Sequence, residues 1–251
     1  MSKNIWITGA SSGIGKALAI KFANEGWQVA ASARRENLLK DLSNQNLSIH
    51  PFPLDVKSEA ETNNVFQNII KKFKTIDISV FCTGIHDPDA EKKLSSEKIR
   101  EIMETNFFGT LNCIMAVNNY FREKKSGQIS IVSSVAGYRG LPAASGYCAS
   151  KSALTSLAES LYFDFKRHNV RVSLVSPGFI KTPMTDKNKF PMPMIKSAEF
   201  AAEKMFIGLT KKNTFEIHFP IVFTMMMKLL KIMPNWLYFL LLKKGMETIK
   251  Y

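Results

Sequence analysis

Hydrophobic and polar positions along the chain follow two alternating patterns. Short apolar runs predict β-strands near residues 3–8, 27–33, 47–54, 76–82, 127–133, 170–176 and 214–219. Between them, apolar residues recur at three- and four-residue spacing and predict helices over residues 13–25, 35–44, 58–74, 97–124, 145–168 and 197–211. Strands that alternate with helices are typical of βαβ units, so we expect an α/β fold whose parallel sheet carries helices on both faces.

Two of the predicted connections are longer than the others. They run from Gly84 to Ser96 and from Pro177 to Lys196, and each begins where a predicted strand ends. Long loops in compact domains usually carry function. Because open parallel sheets bind ligands at the carboxyl ends of their strands, we expect both loops to border a binding site.

The C-terminal part of the chain has a different pattern. Residues 217–227 and 232–242 are two uncharged stretches, and neither is long enough to span a bilayer. A helical projection gives a mostly apolar helix with a narrow polar stripe. The stripe consists of Thr224, Lys228, Lys231 and Asn235, and the apolar positions are Val222, Phe223, Met225, Met226, Leu229, Leu230, Ile232 and Met233. We therefore predict a domain over residues 1–219 and an amphipathic, basic extension over residues 220–251.

Composition excludes disorder and fibrous repeats. Hydrophobic residues make up 45% of the 251 positions, enough for a full core, and we expect one large domain. The cysteines and histidines are dispersed without ligand-like spacing, so we expect neither a disulfide framework nor a metal site. They are Cys82, Cys113, Cys148, His50, His86, His168 and His218. The first residues contain no apolar stretch typical of a signal peptide, and we expect a cytoplasmic protein.

The charge of the chain suggests an anionic partner. Lysine and arginine number 34 against 21 acidic residues, which gives a formal net charge of +13. Phosphate, nucleic acid or lipid headgroups would each fit this excess. The basic residues are dispersed and no nucleic-acid motif accompanies them, so we expect no nucleic-acid partner. The extension carries a net charge of +4, which suits anionic lipid. Its charged residues are Lys228, Lys231, Lys243, Lys244, Glu247 and Lys250.

A glycine-rich segment lies between the first predicted strand and the first predicted helix. Residues 8–15 read Thr-Gly-Ala-Ser-Ser-Gly-Ile-Gly. Such glycines allow a sharp turn and the close approach of a pyrophosphate, while the N–H groups of the following helix favour negative charge. The segment therefore predicts a dinucleotide site, although a turn without a ligand has the same pattern. The candidate contacts are Gly9, Ser11, Ser12, Gly13, Ile14 and Gly15.

The end of the second predicted strand bears on the type of dinucleotide. It carries Arg34 and Arg35 where an NAD-binding protein would place an acidic residue against the ribose hydroxyls. An arginine there can pair with a 2′-phosphate, which favours NADP(H) over NAD(H), with Arg34 as the main ligand. The alternative is a solvated pair at a helix start. Asp55 and Val56, after the third strand, are placed to meet the adenine.

The middle of the chain carries candidate acid–base chemistry. Ser134 follows the fifth predicted strand, and Tyr147 precedes Lys151 by four residues on one face of a predicted helix. An ammonium group near a phenol lowers the phenol pKa, so the pair can exchange a proton with a carbonyl oxygen. A Tyr-x-x-x-Lys pair alone is more often a surface pair. Its combination with Ser134 and the glycine-rich turn makes chance a poor explanation.

These motifs together resemble the classical short-chain dehydrogenase/reductase family, from Lys3 to about Phe219. The matching positions are Thr8-Gly9-x-x-x-Gly13-x-Gly15, Asn106, Ser134, Tyr147-x-x-x-Lys151 and Pro177-Gly178 followed by Thr182. The resemblance implies a Rossmann-type, doubly wound sheet of about seven strands with NAD(P) across their carboxyl ends. It also implies an oxidoreductase that acts on C=O or CH–OH groups and assembles as a homodimer or homotetramer through the predicted helices over 97–124 and 145–168.

The resemblance implies a role for each matching residue. Tyr147 is the general acid/base and Ser134 holds the substrate oxygen. Lys151 binds the nicotinamide ribose and lowers the pKa of Tyr147, and Asn106 positions a water in a proton relay. Negative charge that grows on the carbonyl oxygen during hydride transfer would be received by the hydroxyls of Ser134 and Tyr147. Further cofactor contacts implied in this way are Gly84, Pro177, Gly178, Ile180 and Thr182.

The chain departs from the family pattern at two places. It reads Phe81-Cys82-Thr83-Gly84 where many members have Asn-Asn-Ala-Gly, and we expect an effect on local stability and cofactor-loop geometry more than on catalysis. Ser12 occupies a position that often carries Lys or Arg in NADP-preferring relatives, which leaves Arg34 as the main phosphate ligand.

A predicted substrate loop over residues 182–196 suggests an apolar substrate. Its apolar residues are Met184, Phe190, Met192, Met194 and Ile195. Methionines are deformable contacts that suit a flexible hydrocarbon, although these residues could equally pack under the extension as core. With the basic extension, the loop favours a lipophilic aldehyde or ketone, such as a fatty aldehyde, a long-chain 3-oxo compound, a quinone or a steroid-like ketone. Residues 220–244 would then contact the cytoplasmic face of a membrane.

Two other interpretations remain open. The extension could close a subunit interface of a soluble carbonyl reductase or alcohol dehydrogenase for small substrates. The chain could also be an NADP(H)-binding scaffold without turnover, although the residues at positions 134, 147 and 151 favour an enzyme.

Overall fold

The computed structural model describes the backbone of residues 3–248 and the side chains of residues 3–243, and it contains a seven-stranded parallel sheet. The strands are β1 (Asn4–Thr8), β2 (Gln28–Ala33), β3 (Ile49–Pro53), β4 (Ile78–Phe81), β5 (Gln128–Val132), β6 (Arg171–Pro177) and β7 (Glu216–Phe219). Their order is β3-β2-β1-β4-β5-β6-β7. Each strand overlaps a predicted apolar run, and the expected Rossmann-type α/β fold is confirmed.

Helices cover both faces of the sheet. They are α1 (Gly13–Asn24), α2 (Glu36–Gln45), α3 (Glu59–Phe73), α4 (Pro88–Lys92), α5 (Ser96–Met103), α6 (Gly109–Lys124), α7 (Ser145–Lys166), α8 (Ala198–Thr210), α9 (Ile221–Ile232) and α10 (Asn235–Thr248). One core lies between the sheet and α1, α2 and α8, and the other between the sheet and α3, α6 and α7. Because side chains alternate along a strand, Ile5 and Ile7 enter the first core and Trp6 enters the second.

The strand order reverses between β1 and β4, and this places the candidate site. The chain crosses from β3 at one edge of the sheet to β4, which pairs with β1. The loops after β1 and β4 therefore run in opposite directions and leave a crevice at the carboxyl ends of these strands. The loops after β5 and β6 border the same edge. The residues that the sequence analysis singled out therefore converge there from separate parts of the chain.

The predicted helix over 97–124 is interrupted, which the apolar spacing did not indicate. α5 ends at Met103, a π-helical turn spans Glu104–Phe108, and α6 begins at Gly109. The wider turn places an additional residue in the helix, and Asn106 within it is fully buried. Gly109 packs tightly against the loop after β3, since a Cβ there would lie 2.5 Å from Val56 Cγ2.

The C-terminal extension forms two helices rather than one. α9 ends at Ile232 and α10 begins at Asn235, because Pro234 has no N–H to donate and disfavours helical geometry in the residue before it. Asn235 therefore does not continue the polar stripe of α9, and this part of the prediction is wrong. Within the described part of the chain, no helix combines the length and apolar character needed to cross a membrane.

Two residues of the polar stripe of α9, Thr224 and Lys228, face the domain, whereas Lys231 is exposed. Thr224 is fully buried, with its Oγ1 2.7 Å from Nδ1 of His218, and Lys228 Nζ donates to Glu216 at 2.5 Å. The opposite, apolar face is exposed. Its residues are Ile221, Val222, Met225, Met226, Leu229 and Ile232. Residues 1 and 2 of the predicted domain, and Lys244, Glu247 and Lys250 of the extension, lie outside the described side chains.

Candidate active site

The glycine-rich turn connects β1 to α1 at the carboxyl edge of the sheet. Gly9 and Gly13 have φ angles of +70° and +56°, which glycine adopts without strain. Gly15 has no room for a side chain, since a Cβ there would lie 2.3 Å from the carbonyl oxygen of Gly9. α1 begins at Gly13, so its unpaired first N–H groups border the turn. This cradle fits a pyrophosphate.

The loop after β6 reaches the same turn. A Cβ at Gly13 would lie 3.0 Å from Thr182 Cγ2, so the two segments are in contact. Gly178 donates its N–H to the carbonyl oxygen of Phe219 at 2.7 Å, and Ile180 is buried. Of the expected contacts Pro177, Gly178, Ile180 and Thr182, the structure thus places Thr182 directly against the glycine-rich turn.

The two arginines after β2 have different environments. Arg35 lies over the glycine-rich turn, where its Nη2 donates to the hydroxyls of Ser11 at 2.8 Å and Ser12 at 2.7 Å. Arg34 lies on the side of α5. The pKa of Glu101 is lowered there, chiefly by a hydrogen bond from Lys98 and to a smaller extent by the charge of Arg34. The sequence analysis favoured Arg34, whereas Arg35 is the arginine that the structure joins to the turn.

The expected adenine contacts lie in the loop after β3. Asp55 Oδ1 accepts a hydrogen bond from the N–H of Lys57 at 3.1 Å. Val56 is buried, and its carbonyl oxygen accepts a hydrogen bond from Asn112 Nδ2 at 2.9 Å. These bonds fix the loop at the carboxyl edge of β3.

Ser134, Tyr147 and Lys151 come together between the ends of β5 and β6. Ser134 follows β5, and Tyr147 and Lys151 lie on one face of α7. Ser134 lies close enough to Tyr147 for its hydroxyl to lower the phenol pKa, which opposes the effect of burial. Lys151 is almost fully buried and donates from Nζ to the carbonyl oxygen of Val132 at 2.9 Å. A hydroxyl, a phenol and an ammonium group are thus placed within one small region.

The pKa values at this site are set mainly by burial. Burial raises the pKa of Tyr147 to about 12, against the opposing effect of the Ser134 hydroxyl. Burial also lowers the pKa of Lys151 to about 8. The expectation that Lys151 lowers the pKa of Tyr147 stays a prediction. In this arrangement Lys151 Nζ bonds to Val132 and lies 5.8 Å from the centre of the Tyr147 ring.

Asn106 joins the loop after β4 to α7. Its Oδ1 accepts a hydrogen bond from the N–H of Ile85 at 2.7 Å, and its Nδ2 donates to the hydroxyl of Ser150 at 3.1 Å. Gly84 lies alongside, since a Cβ there would be 3.5 Å from both Asn106 Oδ1 and Lys151 Nζ. Asn106 therefore holds the loop that carries Gly84 next to the candidate catalytic groups.

Two site residues were not identified from the sequence. His86 stacks on Tyr147 with ring centres 4.6 Å apart, and it pairs with Glu91 of α4 at 2.8 Å. The sequence analysis counted His86 among the dispersed histidines and did not consider Glu91. Their position in the long loop from Gly84 to Ser96 was the available signal.

The apolar residues of the predicted substrate loop are not part of the buried core. Phe190 contacts Phe179, which in turn contacts Phe223 of α9, with ring centres 6.0 Å and 5.4 Å apart. Met194 and Ile195 are exposed. Some apolar residues of the loop are thus partly packed and others are exposed. The packed ones agree with packing under the extension, and the exposed ones agree with contact to a hydrocarbon substrate.

The arrangement can bind a dinucleotide and transfer a proton. The cradle at the glycine-rich turn, the arginines and the buried Lys151 fit the phosphates and ribose of a nicotinamide dinucleotide, while Tyr147 and Ser134 can hold a carbonyl oxygen. Among the residues described, no group of three or more His, Cys, Asp or Glu side chains could hold a metal ion.

The chain is similar in sequence to known oxidoreductases. A family model described as short chain dehydrogenase matches residues 3–191. An uncharacterized oxidoreductase of Myxococcus xanthus is 34% identical over 236 residues, which cover 92% of this chain and 93% of the relative. The 3-oxoacyl-[acyl-carrier-protein] reductase FabG of Thermotoga maritima is 34% identical over 185 residues, which cover 72% of this chain and 75% of the relative.

Solved structures share the fold. ElxO with NADP bound matches with a TM-score of 0.77 at 25% identity, over 87% of this chain and 98% of ElxO. A short-chain dehydrogenase from Streptomyces avermitilis matches with a TM-score of 0.79 at 22% identity, over 91% of this chain and 92% of that protein.

Proposed function

Because this chain belongs to the short-chain dehydrogenase/reductase family and is an oxidoreductase, we propose that it reduces the carbonyl group of a lipophilic aldehyde or ketone to an alcohol with NADPH. The observation that carries the proposal is the meeting of Ser134, Tyr147 and Lys151 between the glycine-rich turn and an apolar loop. When bound, NADPH supplies the hydride for the carbonyl carbon.

Four residues of the chain are proposed to bind and orient the substrate and the cofactor and to supply the proton. Ser134 and Tyr147 hold the carbonyl oxygen, and Tyr147 donates the proton that neutralises it. Burial keeps the phenol of Tyr147 protonated at neutral pH, which is the form that an acid in a reduction needs. In the described structure Lys151 uses one of its N–H donors for Val132, so others remain for the nicotinamide ribose. Asn106 fixes the adjoining loop and positions a relay water.

We further propose NADP(H) as the preferred cofactor. Two guanidinium groups lie near the end of β2, where a 2′-phosphate would be held, and neither position 34 nor position 35 carries an acidic residue for a ribose hydroxyl. ElxO, at 25% identity, has been solved with NADP bound. The other proposed contacts are Gly9, Ser11, Ser12, Gly13, Ile14, Gly15, Asp55, Val56, Gly84, Pro177, Gly178, Ile180 and Thr182.

The substrate is proposed to be a fatty aldehyde or a long-chain 3-oxo compound. The apolar loop over residues 182–196 and the aromatic contacts that link it to α9 give a surface suited to a hydrocarbon chain. The relative from Thermotoga maritima is a reductase of 3-oxoacyl groups. A soluble carbonyl reductase for small substrates is the alternative.

A chain-length series tests the substrate. We expect kcat/KM for NADPH-dependent reduction of unbranched aldehydes and 3-oxo esters to rise with each added methylene, by up to about fourfold for a fully buried group, because each is worth about 0.8 kcal/mol. The loss of NADPH absorbance measures the rate, with Tyr147→Phe as the blank. Equal rates for short and long chains would exclude the lipophilic substrate and leave the small-substrate reductase.

The exposed apolar face of the extension is proposed to contact a membrane peripherally, at its cytoplasmic side. Among the described side chains, 17 large hydrophobic residues are exposed, and ten of these lie between Ile221 and Leu241, so the exposure is concentrated on α9 and α10. The exposed Lys231 and Lys243 add positive charge to this surface. An apolar surface with lysines at its border suits anionic lipid.

Vesicle binding tests this surface. We expect the protein to sediment with vesicles that contain phosphatidylglycerol, and Ile232→Glu with Trp236→Glu to reduce the bound fraction about tenfold or more, because two charges would replace two buried apolar side chains. Leu47→Glu is the matched control, since Leu47 is 88% exposed but lies between α2 and β3. Unchanged sedimentation together with a smaller oligomer on size-exclusion chromatography would assign the face to a subunit interface.

We propose that the protein forms a homo-oligomer through surfaces other than α9 and α10. Phe108, Met115 and Phe163 are exposed on the π-helical turn, α6 and α7, the helices that the family resemblance assigns to a homodimer or homotetramer.

A further inference from the structure

A buried carboxylate lies close to Tyr147 and has no part in the proposed reaction as described so far. The side chain of Glu91 is 0% exposed and belongs to α4, in the long loop after β4. Burying a carboxylate is costly unless it is paired and hydrogen-bonded. Each of its oxygen atoms has a partner, and both sets of partners lead to Tyr147.

The first oxygen holds the backbone of Tyr147. Glu91 Oε2 accepts hydrogen bonds from the N–H groups of Gly146 at 2.6 Å and Tyr147 at 3.2 Å. These groups belong to the first turn of α7, where N–H groups have no partner within the helix. The residue before the helix, Ala144, has no side chain that could cap it. Glu91 therefore caps α7 from another element, and its charge is favourable at that helix end.

The second oxygen holds the ring of Tyr147 through His86. Glu91 Oε1 lies 2.8 Å from His86 Nδ1, and an ionised carboxylate can only accept, so the imidazole donates from Nδ1. This hydrogen bond fixes the orientation of an imidazole that is 10% exposed. The imidazole in turn packs against the phenol, with ring centres 4.6 Å apart and planes inclined by 39°.

We propose that Glu91 is a positioning residue for Tyr147, which it holds by the backbone directly and by the ring through His86. The inference rests on the proposed role of Tyr147 as the general acid. Proton transfer depends on the position of the phenol oxygen, and a displacement of about 1 Å can reduce a rate by about a hundredfold. One carboxylate thus fixes both the backbone from which the Tyr147 side chain leaves the helix and the imidazole that packs against its ring.

The test is a double-mutant cycle in the full chain. We expect Glu91→Gln to lower kcat about tenfold to a hundredfold while KM for NADPH changes less than about twofold, because the change acts on the acid and not on the cofactor. In a Tyr147→Phe background the same substitution should have no further effect, since no phenol proton remains to be positioned. Asp77→Asn is the control. It alters a carboxylate that also accepts a backbone N–H, from Asn4 at 2.9 Å, at the opposite end of β4.

Hydrogen exchange supplies a readout that needs neither substrate nor cofactor. The amides of Gly146 and Tyr147 should be protected in the starting protein and exchange at least about tenfold faster in Glu91→Ala, which removes the accepting oxygen, with no such change in Asp77→Asn. His86→Asn leaves the bonds from Glu91 to α7 in place, so it should lower kcat without this faster exchange. It remains informative if Glu91→Gln does not fold.

Three results would overturn the inference: unchanged kcat in both Glu91→Gln and His86→Asn, an equal loss in the presence and absence of the Tyr147 hydroxyl, or unchanged protection of the two amides. Failure of the proposed function would look different. Tyr147→Phe itself would then retain full activity, or no carbonyl compound would be reduced by the starting protein.

Discussion

Tyr147→Phe is expected to lower kcat for carbonyl reduction by about a hundredfold to ten-thousandfold, the usual contribution of a positioned general acid. The substitution removes the proton donor but keeps the ring that packs on His86. Binding of NADPH should change less than about twofold, because Lys151 and the glycine-rich turn remain. Steady-state rates and fluorescence titration with NADPH measure the two quantities separately.

Tyr162 provides a matched control for this substitution. It lies on the same helix, where its ring contacts Phe163 and Phe215 at a distance from Ser134. Tyr162→Phe should leave kcat within about twofold of the starting value. If Tyr147→Phe retained a kcat similar to that of Tyr162→Phe, Tyr147 would not be the acid, and the interpretation as a scaffold without turnover would gain support.

The pKa of Tyr147 supports the proposed reduction of a carbonyl group. A phenol with a pKa of about 12 stays protonated across the neutral range, so it is ready to donate a proton to a developing alkoxide. The reverse reaction needs the phenolate, which this burial disfavours. Lys151, with a pKa lowered to about 8, is protonated below that pH and loses its charge above it, so its support for a phenolate weakens as the pH rises.

The sheet could be predicted from the sequence because its signal is local. Buried parallel strands are short apolar runs, and each of the seven strands overlaps such a run. The pairing of Tyr147 and Lys151 could also be predicted from the sequence, since their spacing of four residues places them on one helix face. The glycine-rich turn can likewise be recognised from a few adjacent residues, and the positive φ angles of Gly9 and Gly13 agree with the predicted sharp turn.

The remaining features depend on partners that are distant in the sequence. Thr224 and Lys228 of the polar stripe of α9 face the domain because they bond to His218 and Glu216, both from β7. An amphipathic projection shows that two faces differ, but it does not show which face has partners. The π-helical turn around Asn106 likewise reflects bonds to Ile85 and Ser150, which helical spacing does not encode.

The pair of His86 and Glu91 shows the same limit at the site itself. A histidine in a loop has no informative neighbours in the sequence, and its significance comes from stacking on a residue that follows 61 positions later. The length of the loop over residues 84–96 led to the prediction that it borders a binding site. Which of its side chains face Tyr147 required the three-dimensional arrangement.

Replacing both Arg34 and Arg35 with alanine is expected to reverse or abolish the preference for NADPH. A charge-assisted hydrogen bond contributes about 1.5–3 kcal/mol, so the loss of the phosphate contacts should lower kcat/KM for NADPH about a hundredfold. NADH has no 2′-phosphate, and kcat/KM with NADH should change less than about threefold. Initial rates with each cofactor at a fixed carbonyl substrate give the ratio directly.

The single variants and one control make this comparison specific. Arg35→Ala removes the guanidinium that bonds to Ser11 and Ser12, whereas Arg34→Ala leaves those bonds intact, so the two losses report each arginine separately. Lys40→Ala removes an exposed positive charge from α2, where Lys40 pairs with Glu36 at 2.8 Å, and should not change the cofactor ratio. Equal losses with NADPH and NADH in the double variant would show that the arginines support the fold of the turn rather than a 2′-phosphate. An unchanged ratio would remove the sequence basis for NADP(H) altogether, because Ser12 offers no positive charge in their place.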